Sequence, residues 1–440
     1  MPGAKQADDI RGDPVTIRRM RLDGWGVSGA GNRQLRVDSA IEGERLTFVR
    51  KRRRRGHIEG IIGDLIDPSP HRVEPVCPYF GVCGGCALQH VSADHQLALK
   101  QDWLLGELGK YGLKPARVLE PVSGPVWGYR RRGRLGVRYV DGKKRVLVGF
   151  RERFKPYVTD MQRCAVLVPE ASDLIAPLAE LIGGLSIYNR LPQVEVTVAD
   201  NQIALVLRVL SALSESDLDA LANFEREKGV TLYLQPGGPD SVIPVSPPAE
   251  PLRVTLPISG QALESGPTDF LQVNSDINQK MISLSLELLE PDISEKALDL
   301  FCGNGNITLP LAERVAEVTG IEENPRAVEQ AAQNARLNGL NNATFCRGDL
   351  AHGLEPSLKD GSQFALAVLD PPRMGAERVV SDLGVLRARR IVYISCHGPS
   401  LARDAGILTG DHGYRLEAVC VMDMFPHTSH VESLALFVRQ

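Results

Sequence analysis

The sequence predicts an α/β fold in which a mostly parallel sheet carries helices on both faces. From about residue 260, short apolar runs alternate with amphipathic stretches, as expected for repeated strand–helix units. The glycine-rich turn CGNGN directly follows the apolar run KALDLF. Three later runs end at or just before acidic residues, namely Glu322, Asp349 and Asp370. Because parallel strands end at the same edge of a sheet, we expect these carboxylates to share one site.

The chain has 440 residues, which is too long for one ordinary hydrophobic core. We expect three domains, at residues 1–68, 69–258 and 259–440. No apolar run reaches the roughly 18 to 20 residues of a membrane span. The opening MPGAKQADDIRGD lacks the apolar segment of a secretion signal. We therefore expect a protein of the cytoplasm that has no membrane partner. We also expect it to be a monomer.

Residues 14–66 alternate apolar and polar side chains between glycine-containing turns, which predicts a small OB-like β-barrel. Basic residues are concentrated here, including the run Lys51 to Arg55: residues 1–60 hold 14 basic against 8 acidic residues. Residues 101–160 hold 14 against 6, although the whole chain has a net charge of -3. This asymmetry indicates a polyanionic partner such as nucleic acid, with solvated surface charge as the alternative. The mixed strip YRRRGRLGVRY has the same two interpretations.

Four of the eight cysteines have a spacing typical of metal ligands. Cys77, Cys83 and Cys86 are clustered, and Cys164 follows far downstream. Thiols in a reducing compartment favour metal binding over disulfides. The spacing alone leaves zinc and a [4Fe-4S] cluster open, since both take four thiolates.

The glycine-rich turn predicts a nucleotide-type ligand. Glycines let the backbone approach a ligand closely, and the following helix offers free N–H groups. Glu322 lies 19 residues beyond Gly303, where a carboxylate can accept both ribose hydroxyls. The turn is not GxGxxG, and S-adenosylmethionine (SAM) has no pyrophosphate to bind, so SAM is favoured over a dinucleotide or a purely structural turn.

The run RIVYISC places Cys396 at the end of a predicted strand, near the predicted acidic edge. A cysteine here can be a packed core thiol or a nucleophile. Glu432, which follows MFPHTSHV, can act as a base at the start of the last strand. A thiolate, a base and a methyl sulfonium together suit methylation of carbon 5 of a pyrimidine, because thiolate addition to carbon 6 makes carbon 5 nucleophilic.

These segments resemble the RNA uridine-C5 methyltransferase family. The shared motifs are FLQVN, LDLFCGNGNITLPLA, QNARLNGL, LDPPRMG, IVYISC, LARD and MFPHTSHVES, which together span nearly all of residues 269–440. The resemblance implies that Cys396 is the nucleophile and Glu432 the general base. It implies that the SAM and uracil pocket is lined by Gln272, Phe301, Gly303, Asn306, Glu322, Asp349 and Asp370.

The resemblance also implies a domain order. It comprises an N-terminal TRAM barrel, a central α+β iron-sulfur domain and a C-terminal Rossmann-like SAM-dependent methyltransferase domain. The [4Fe-4S] cluster would be held by Cys77, Cys83, Cys86 and Cys164. The implied substrate is 23S rRNA, with a tRNA T-loop uridine and a non-catalytic RNA-binding chaperone as alternatives.

One segment departs from the family pattern. The family usually reads Ser-Cys-Asn-Pro, whereas this chain reads Ser-Cys-His-Gly, so His397 takes the place of the asparagine. Ser400 stands where threonine is common. A histidine beside a thiol can lower the pKa of that thiol or can merely fill the space.

Overall fold

The computed structural model describes residues 13–29, 34–54, 56–354 and 364–440. Residues 1–12 and Arg55, which belong to the predicted barrel segment and its basic run, lie outside the described residues. The chain groups into two compact units. The first unit contains the chain up to Lys100 with Arg151–Pro156 and Phe425–His430, and the second contains the rest. None of the helices among the described residues is both long and apolar enough to span a bilayer.

The first unit contains one six-stranded sheet. Its strands are β1 Val15–Thr16, β2 Arg19–Met20, β3 Trp25–Ser28, β4 Gln34–Asp38, β5 Arg45–Arg54 and β6 His57–Asp67. They are ordered β1-β5-β6-β4-β3-β2, and β4 pairs with β6 in parallel. Alternate residues of β4 point inward, where Leu35 and Val37 pack with Ile17 and Leu46. The predicted strands are therefore present, and the OB-like assignment stays a prediction.

The second unit begins with a mixed sheet and a hairpin. The strands are β7 Arg117–Val118, β8 Arg132–Val140, β9 Arg145–Gly149, β10 Gln193–Val198, β11 Ile203–Arg208, β12 Thr231–Gln235, β13 Ile243–Pro244, β14 Leu252–Leu256 and β15 Gln261–Ser265. One sheet has the order β13-β12-β11-β10-β8-β9, and β14 pairs with β15. Only β11 and β12 run in parallel in the mixed sheet, so residues 132–244 have α+β character.

The remaining strands form an eight-stranded sheet with β7. They are β16 Lys296–Leu300, β17 Glu317–Glu322, β18 Ala343–Arg347, β19 Leu366–Leu369, β20 Arg390–Ser395, β21 Tyr414–Met422 and β22 Glu432–Arg439. The order is β18-β17-β16-β19-β20-β22-β21-β7. Strands β16 to β20 are parallel, and β22 is antiparallel to both of its neighbours. This arrangement confirms the predicted Rossmann-like α/β domain.

The described residues contain nine α-helices. They are α1 Ala93–Gly109, α2 Pro169–Ser172, α3 Ile175–Gly184, α4 Glu215–Lys228, α5 Ser275–Leu289, α6 Thr308–Ala312, α7 Pro325–Leu337, α8 Glu377–Leu386 and α9 Gly398–Asp411. Helix α7 is capped by Asn324, whose side chain accepts a hydrogen bond from the Arg326 N–H. Helix α6, which follows the glycine-rich turn, lasts only five residues.

Candidate active site

The site lies at the carboxyl edge of the eight-stranded sheet. Strands β16, β17, β19 and β20 all end there because they are parallel. The next residues along the chain are therefore brought to one edge, including Phe301, Asp370 and Cys396. Strand β22 runs the other way and begins at this edge with Glu432, whose neighbour Ser433 pairs with Ser395. The pairing thus places Glu432 beside the segment that carries Cys396.

The glycine-rich turn has the backbone conformation that its composition predicts. Gly303 and Gly305 have φ of 56° and 96°, in the left-handed region that favours glycine. A Cβ added at Gly303 would meet no atom within 4 Å, which leaves open space above the turn. Phe301 also has a positive φ, 66°, although it is not a glycine. Strained backbone of this kind is common where a ligand must be approached closely.

Glu322 is joined directly to the glycine-rich turn. One carboxylate oxygen accepts a hydrogen bond from the Gly303 N–H at 3.2 Å, and the other accepts from the Asn324 N–H at 3.0 Å. These contacts orient the carboxylate at the end of β17 and leave further lone pairs for a ligand. The predicted pair of Gly303 and Glu322 is thus brought together.

Asp349 follows the next strand, β18, and its side chain forms hydrogen bonds within its own turn. Its exposed carboxylate accepts from the Ala351 N–H at 3.1 Å and lies 2.8 Å from His352 Nδ1. The hydrogen bond with His352 lowers the pKa of Asp349 below its ordinary value. A cofactor role for Asp349 stays a prediction.

A cleft opens beside the turn. It is lined by Phe270, Gln272, Asn278, Asn304 and Asn306, among others. Asn278 and Asn306 exchange two side-chain amide hydrogen bonds of 2.9 Å, which fixes both amides. Gln272 and Asn306, far apart in sequence, are therefore brought to the same cleft.

Asp299 is a residue of this region that the sequence reasoning missed. It lies inside β16 and is 1% exposed. One oxygen accepts from Thr308 Oγ1 at 2.6 Å, and the other has no hydrogen-bond partner among the described residues. The pKa of Asp299 is raised to about 7, mainly by burial. The negative charges of Asp370 and Glu322 contribute to the same rise. The sequence signal that could have revealed Asp299 is an acidic residue within the apolar run KALDLF.

The buried acids favour a cation at this edge. Burial also raises the pKa of Asp370 to about 7, so near neutral pH part of the population of each acid is protonated. A nearby positive charge would stabilise both carboxylates in the ionised form. The positive sulfonium of SAM matches this need.

Cys396 is a half-buried thiol with acidic neighbours. Burial raises its pKa to about 11, and the negative charges of Glu432 and Asp370 act in the same direction. The charge of Arg373 opposes them and favours the thiolate. Cys420, by contrast, lies in the middle of β21 and is 1% exposed. The alternative of a sealed core thiol therefore describes Cys420 and not Cys396.

His397 follows the nucleophile candidate and is held by its own turn. Its Nδ1 lies 3.1 Å from Ser400 Oγ, and its backbone N–H donates to Ser395 Oγ at 3.1 Å. The charges that shift the pKa of the Cys396 thiol include Glu432, Asp370 and Arg373. His397 thus occupies the position of the family's asparagine as part of a hydrogen-bonded turn.

His427, in the segment MFPHTSHV, and the strip Tyr129 to Tyr139 both make structural contacts. His427 is buried in the first unit, where its carbonyl accepts from the N–H groups of Ala87 and Leu88. In the strip Tyr129 to Tyr139, Arg131 pairs with Asp200 at 2.6 Å. Arg132 and Arg134 both pair with Glu195. These pairs make most of the strip an internal ion-pair network.

The four cysteines predicted to hold a metal differ in exposure. Cys83 and Cys164 are buried, Cys77 and Cys86 are half-buried, and none of the four forms a disulfide. Across the described residues, no three or more His, Cys, Asp or Glu side chains come together in a way that could hold a metal ion. The [4Fe-4S] expectation therefore rests on spacing and resemblance alone and stays a prediction.

Comparison with known proteins identifies relatives along the whole chain. The family model described as tRNA (Uracil-5-)-methyltransferase matches residues 249–440. The 23S rRNA (uracil(1939)-C(5))-methyltransferase RlmD of Alkalilimnicola ehrlichii is 44% identical, over 97% of this chain and 96% of the relative. The protein of the same name from Methylococcus capsulatus is 45% identical, over 96% of each.

A solved structure agrees with these relatives. The Pyrococcus abyssi tRNA (uracil-54, C5)-methyltransferase, in complex with S-adenosyl-L-homocysteine, is 25% identical with a TM-score of 0.73. The match covers 98% of this chain and 100% of that structure. The relatives confirm the resemblance seen in the motifs, and the chain belongs to the RNA uracil-C5 methyltransferase family.

Proposed function

We propose that this protein transfers the methyl group of SAM to carbon 5 of a specific uridine in 23S rRNA. The observation that carries the proposal is the antiparallel pairing of β20 with β22, which brings Cys396 and Glu432 to one edge of the sheet. The glycine-rich turn follows β16 at this same edge and contributes Asn304 and Asn306 to the cleft that Gln272 also lines. Relatives at 44% and 45% identity named for 23S rRNA support the choice of substrate.

The proposed chemistry assigns one role to each of two side chains. The Cys396 sulfur adds to carbon 6 of the uracil, so that carbon 5 gains enolate character. SAM, when bound, supplies an electrophilic methyl group, which carbon 5 accepts. Glu432 then takes the proton from carbon 5 while the bond between sulfur and carbon 6 breaks and restores the double bond. The target base must be unstacked, because a thiol cannot reach carbon 6 inside a helix.

The pKa of the thiol constrains the first step. With a pKa of about 11, only about one Cys396 in ten thousand is a thiolate at pH 7. Arg373 is the charged residue that favours the thiolate. Asp370 and Glu432 oppose it while they are ionised, so neutralising them favours the attacking form. We infer that the positive sulfonium of bound SAM, which offsets these carboxylates, favours the thiolate.

The test uses methyl transfer from labelled SAM to unmodified 23S rRNA and to tRNA, followed by mapping of the modified nucleotide. Cys396→Ala should lower the rate about 10⁴-fold or more, as loss of a nucleophile does. The matched control is Cys346→Ala, which removes an exposed thiol and should transfer normally. Glu432→Gln should accumulate a covalent RNA adduct because elimination is blocked, and normal product release by this variant would refute its role.

The same mapping decides between substrates. Modification of tRNA in place of 23S rRNA would favour the alternative of a T-loop methyltransferase, the activity in the name of the Pyrococcus abyssi structure. RNA binding without any methyl transfer would leave only the chaperone alternative.

We also propose that the first unit contacts RNA through a TRAM-like sheet. The support is the run from Arg50 to Arg54 on β5, which is exposed along its whole length. Five adjacent cations on one strand suit a phosphate backbone, whose binding depends strongly on salt.

We propose, from sequence spacing and resemblance, that Cys77, Cys83, Cys86 and Cys164 hold a [4Fe-4S] cluster. Anaerobically purified protein should then contain iron and sulfide and absorb visible light. Cys77→Ala should lose this absorbance, and Cys346→Ala should keep it. Colourless protein that contains zinc would contradict the cluster.

A further inference from the structure

The LARD motif, Leu401 to Asp404, has no part in the chemistry described so far. It lies in helix α9, which begins two residues after Cys396. Asp404 within it is completely buried, although it carries a carboxylate. A buried carboxylate is costly unless its oxygens are hydrogen-bonded, so its partners show what it holds.

Asp404 joins three elements of the active-site edge. One carboxylate oxygen accepts from the Ala376 N–H at 2.7 Å and from the Tyr393 hydroxyl at 2.6 Å. The other accepts from Arg403 Nε at 2.8 Å. Tyr393 lies on β20, three residues before Cys396, and Ala376 ends the segment Arg373–Ala376. A single side chain thus ties the nucleophile strand to the loop that carries Arg373.

Two further residues on the same helix hold the same loop. Arg403 donates to the carbonyl of Met374 at 2.9 Å. Ser400 Oγ lies 3.2 Å from the carbonyl of Arg373 and 2.8 Å from that of His397. Residues 400, 403 and 404 share one face of a helix, since side chains three and four positions apart are neighbours.

The loop is packed tightly against this face. Gly375 has φ of 79°, and a Cβ there would lie 2.6 Å from Asp404 Oδ2 and 2.9 Å from Ser400 Cβ. Only glycine satisfies both the backbone conformation and the space. The backbone at Arg373 to Ala376 therefore has one position relative to α9.

The position of the loop matters for the Cys396 thiol because the loop carries the charge of Arg373. Arg373 follows β19 and Cys396 follows the adjacent parallel strand β20, and Ser400 Oγ contacts the carbonyls of both Arg373 and His397, so the two segments are held side by side. The charge of Arg373 favours the Cys396 thiolate there, whereas Asp370 and Glu432 oppose it. The electrostatic effect of a cation depends on its distance from the sulfur. An exposed arginine on a loose loop would spend much of its time too far away to act.

We propose that Asp404, together with Arg403 and Ser400, is a positioning residue that fixes Arg373 near Cys396 and so sets the reactivity of the nucleophile. This inference rests on the proposed role of Cys396 and assigns a task to a motif outside the reacting groups.

The test measures alkylation of Cys396 by iodoacetamide between pH 7.5 and 9.5, followed by peptide mass spectrometry. The exposed Cys346 of the same molecule serves as the internal reference. Arg373→Gln should slow alkylation of Cys396 about threefold relative to Cys346, because the thiolate fraction falls while each thiolate becomes somewhat more nucleophilic. Asp404→Asn should slow it by a similar factor. Ser400→Ala should have a smaller effect in the same direction, which Ser400→Thr should restore.

Non-additivity distinguishes positioning from general damage. In a chain that already carries Arg373→Gln, Asp404→Asn should cause no further slowing, since the charge it positions is gone. Tyr414→Phe is the stability control: it removes a buried hydrogen bond of 2.7 Å from Tyr414, at the start of β21, to the Ala388 carbonyl in the loop before β20. It should lower the melting temperature and leave the ratio of Cys396 to Cys346 alkylation unchanged.

Three results would overturn the inference: unchanged or faster alkylation in Asp404→Asn, a full additional effect in the double variant, or the same slowing in Tyr414→Phe. Failure of the proposed function looks different. In that case the wild-type protein transfers no methyl group to RNA, whatever the reactivity of Cys396.

Discussion

The two halves of the catalytic edge are built on different principles. Around the glycine-rich turn, Glu322 accepts from two backbone N–H groups, and Asn278 and Asn306 bond each other. Asp299 and Asn304 are exceptions, because Asp299 Oδ1 and Asn304 Nδ2 are buried without a hydrogen-bond partner among the described residues. Around the nucleophile, Asp370 and Cys396 have pKa values shifted upward by burial. In the half expected to bind, hydrogen bonds fix three of the side chains that face the ligand site, whereas the half expected to react keeps groups in an unfavourable charge state. Binding needs fixed geometry, whereas reaction needs groups whose protonation can change.

The largest expected effect is the pH dependence of Cys396 reactivity, in the half of the edge that carries the nucleophile. Because the pKa of Cys396 is raised to about 11, its thiolate fraction should rise about tenfold for each pH unit between 7 and 10. Alkylation of Cys396 in the free protein should follow the same slope, as read by peptide mass spectrometry. A plateau below pH 9 would show an activated thiol in the free protein and would erase the contrast between the halves.

A smaller effect is expected in the binding half. Glu322→Gln keeps the shape of the side chain but removes the charge that is expected to bind ribose hydroxyls. Affinity for S-adenosylhomocysteine should fall about tenfold, as loss of one charge-assisted hydrogen bond predicts. Calorimetry measures the affinity, and the neighbouring exposed residue provides the control Glu323→Gln. Unchanged affinity would place the ribose elsewhere.

The smallest expected effect is on RNA binding, at a surface outside both halves of the catalytic edge. In the first unit, Arg153 packs against both Trp25 and Phe154, with its guanidinium carbon 5.8 Å and 5.0 Å from the two ring centroids. Phe154 is 60% exposed and can stack on an RNA base. Phe154→Ala should weaken RNA binding about fivefold, and Phe154→Tyr should not. Filter binding measures this, with Cys396 alkylation and cofactor affinity unchanged; a change in either would link this surface to the catalytic edge.

Much of the catalytic domain followed from the sequence because its signals are local. The composition of CGNGN marked the turn at which Gly303 and Gly305 adopt positive φ. Strand ends located Glu322 and Cys396, since position at a strand end needs only the hydrophobic run to be recognised.

The rest depends on contacts that no local pattern encodes. Asp299 was hidden inside an apolar run, and its unpartnered oxygen is visible only in three dimensions. The arginines of Tyr129 to Tyr139 suited an RNA-binding strip, but Arg131, Arg132 and Arg134 pair with acids on distant segments. The task of Asp404 emerged only when its partners on a strand, a loop and its own helix were known.

The direction of β22 has a consequence for how the enzyme becomes active during synthesis. Glu432 is the last of the proposed catalytic residues to leave the ribosome, and it reaches the edge only when β22 inserts between β20 and β21. Before β22 pairs, the end of β20 carries Cys396 without Glu432 beside it. Insertion of β22 is therefore the step that completes the pair of proposed catalytic residues.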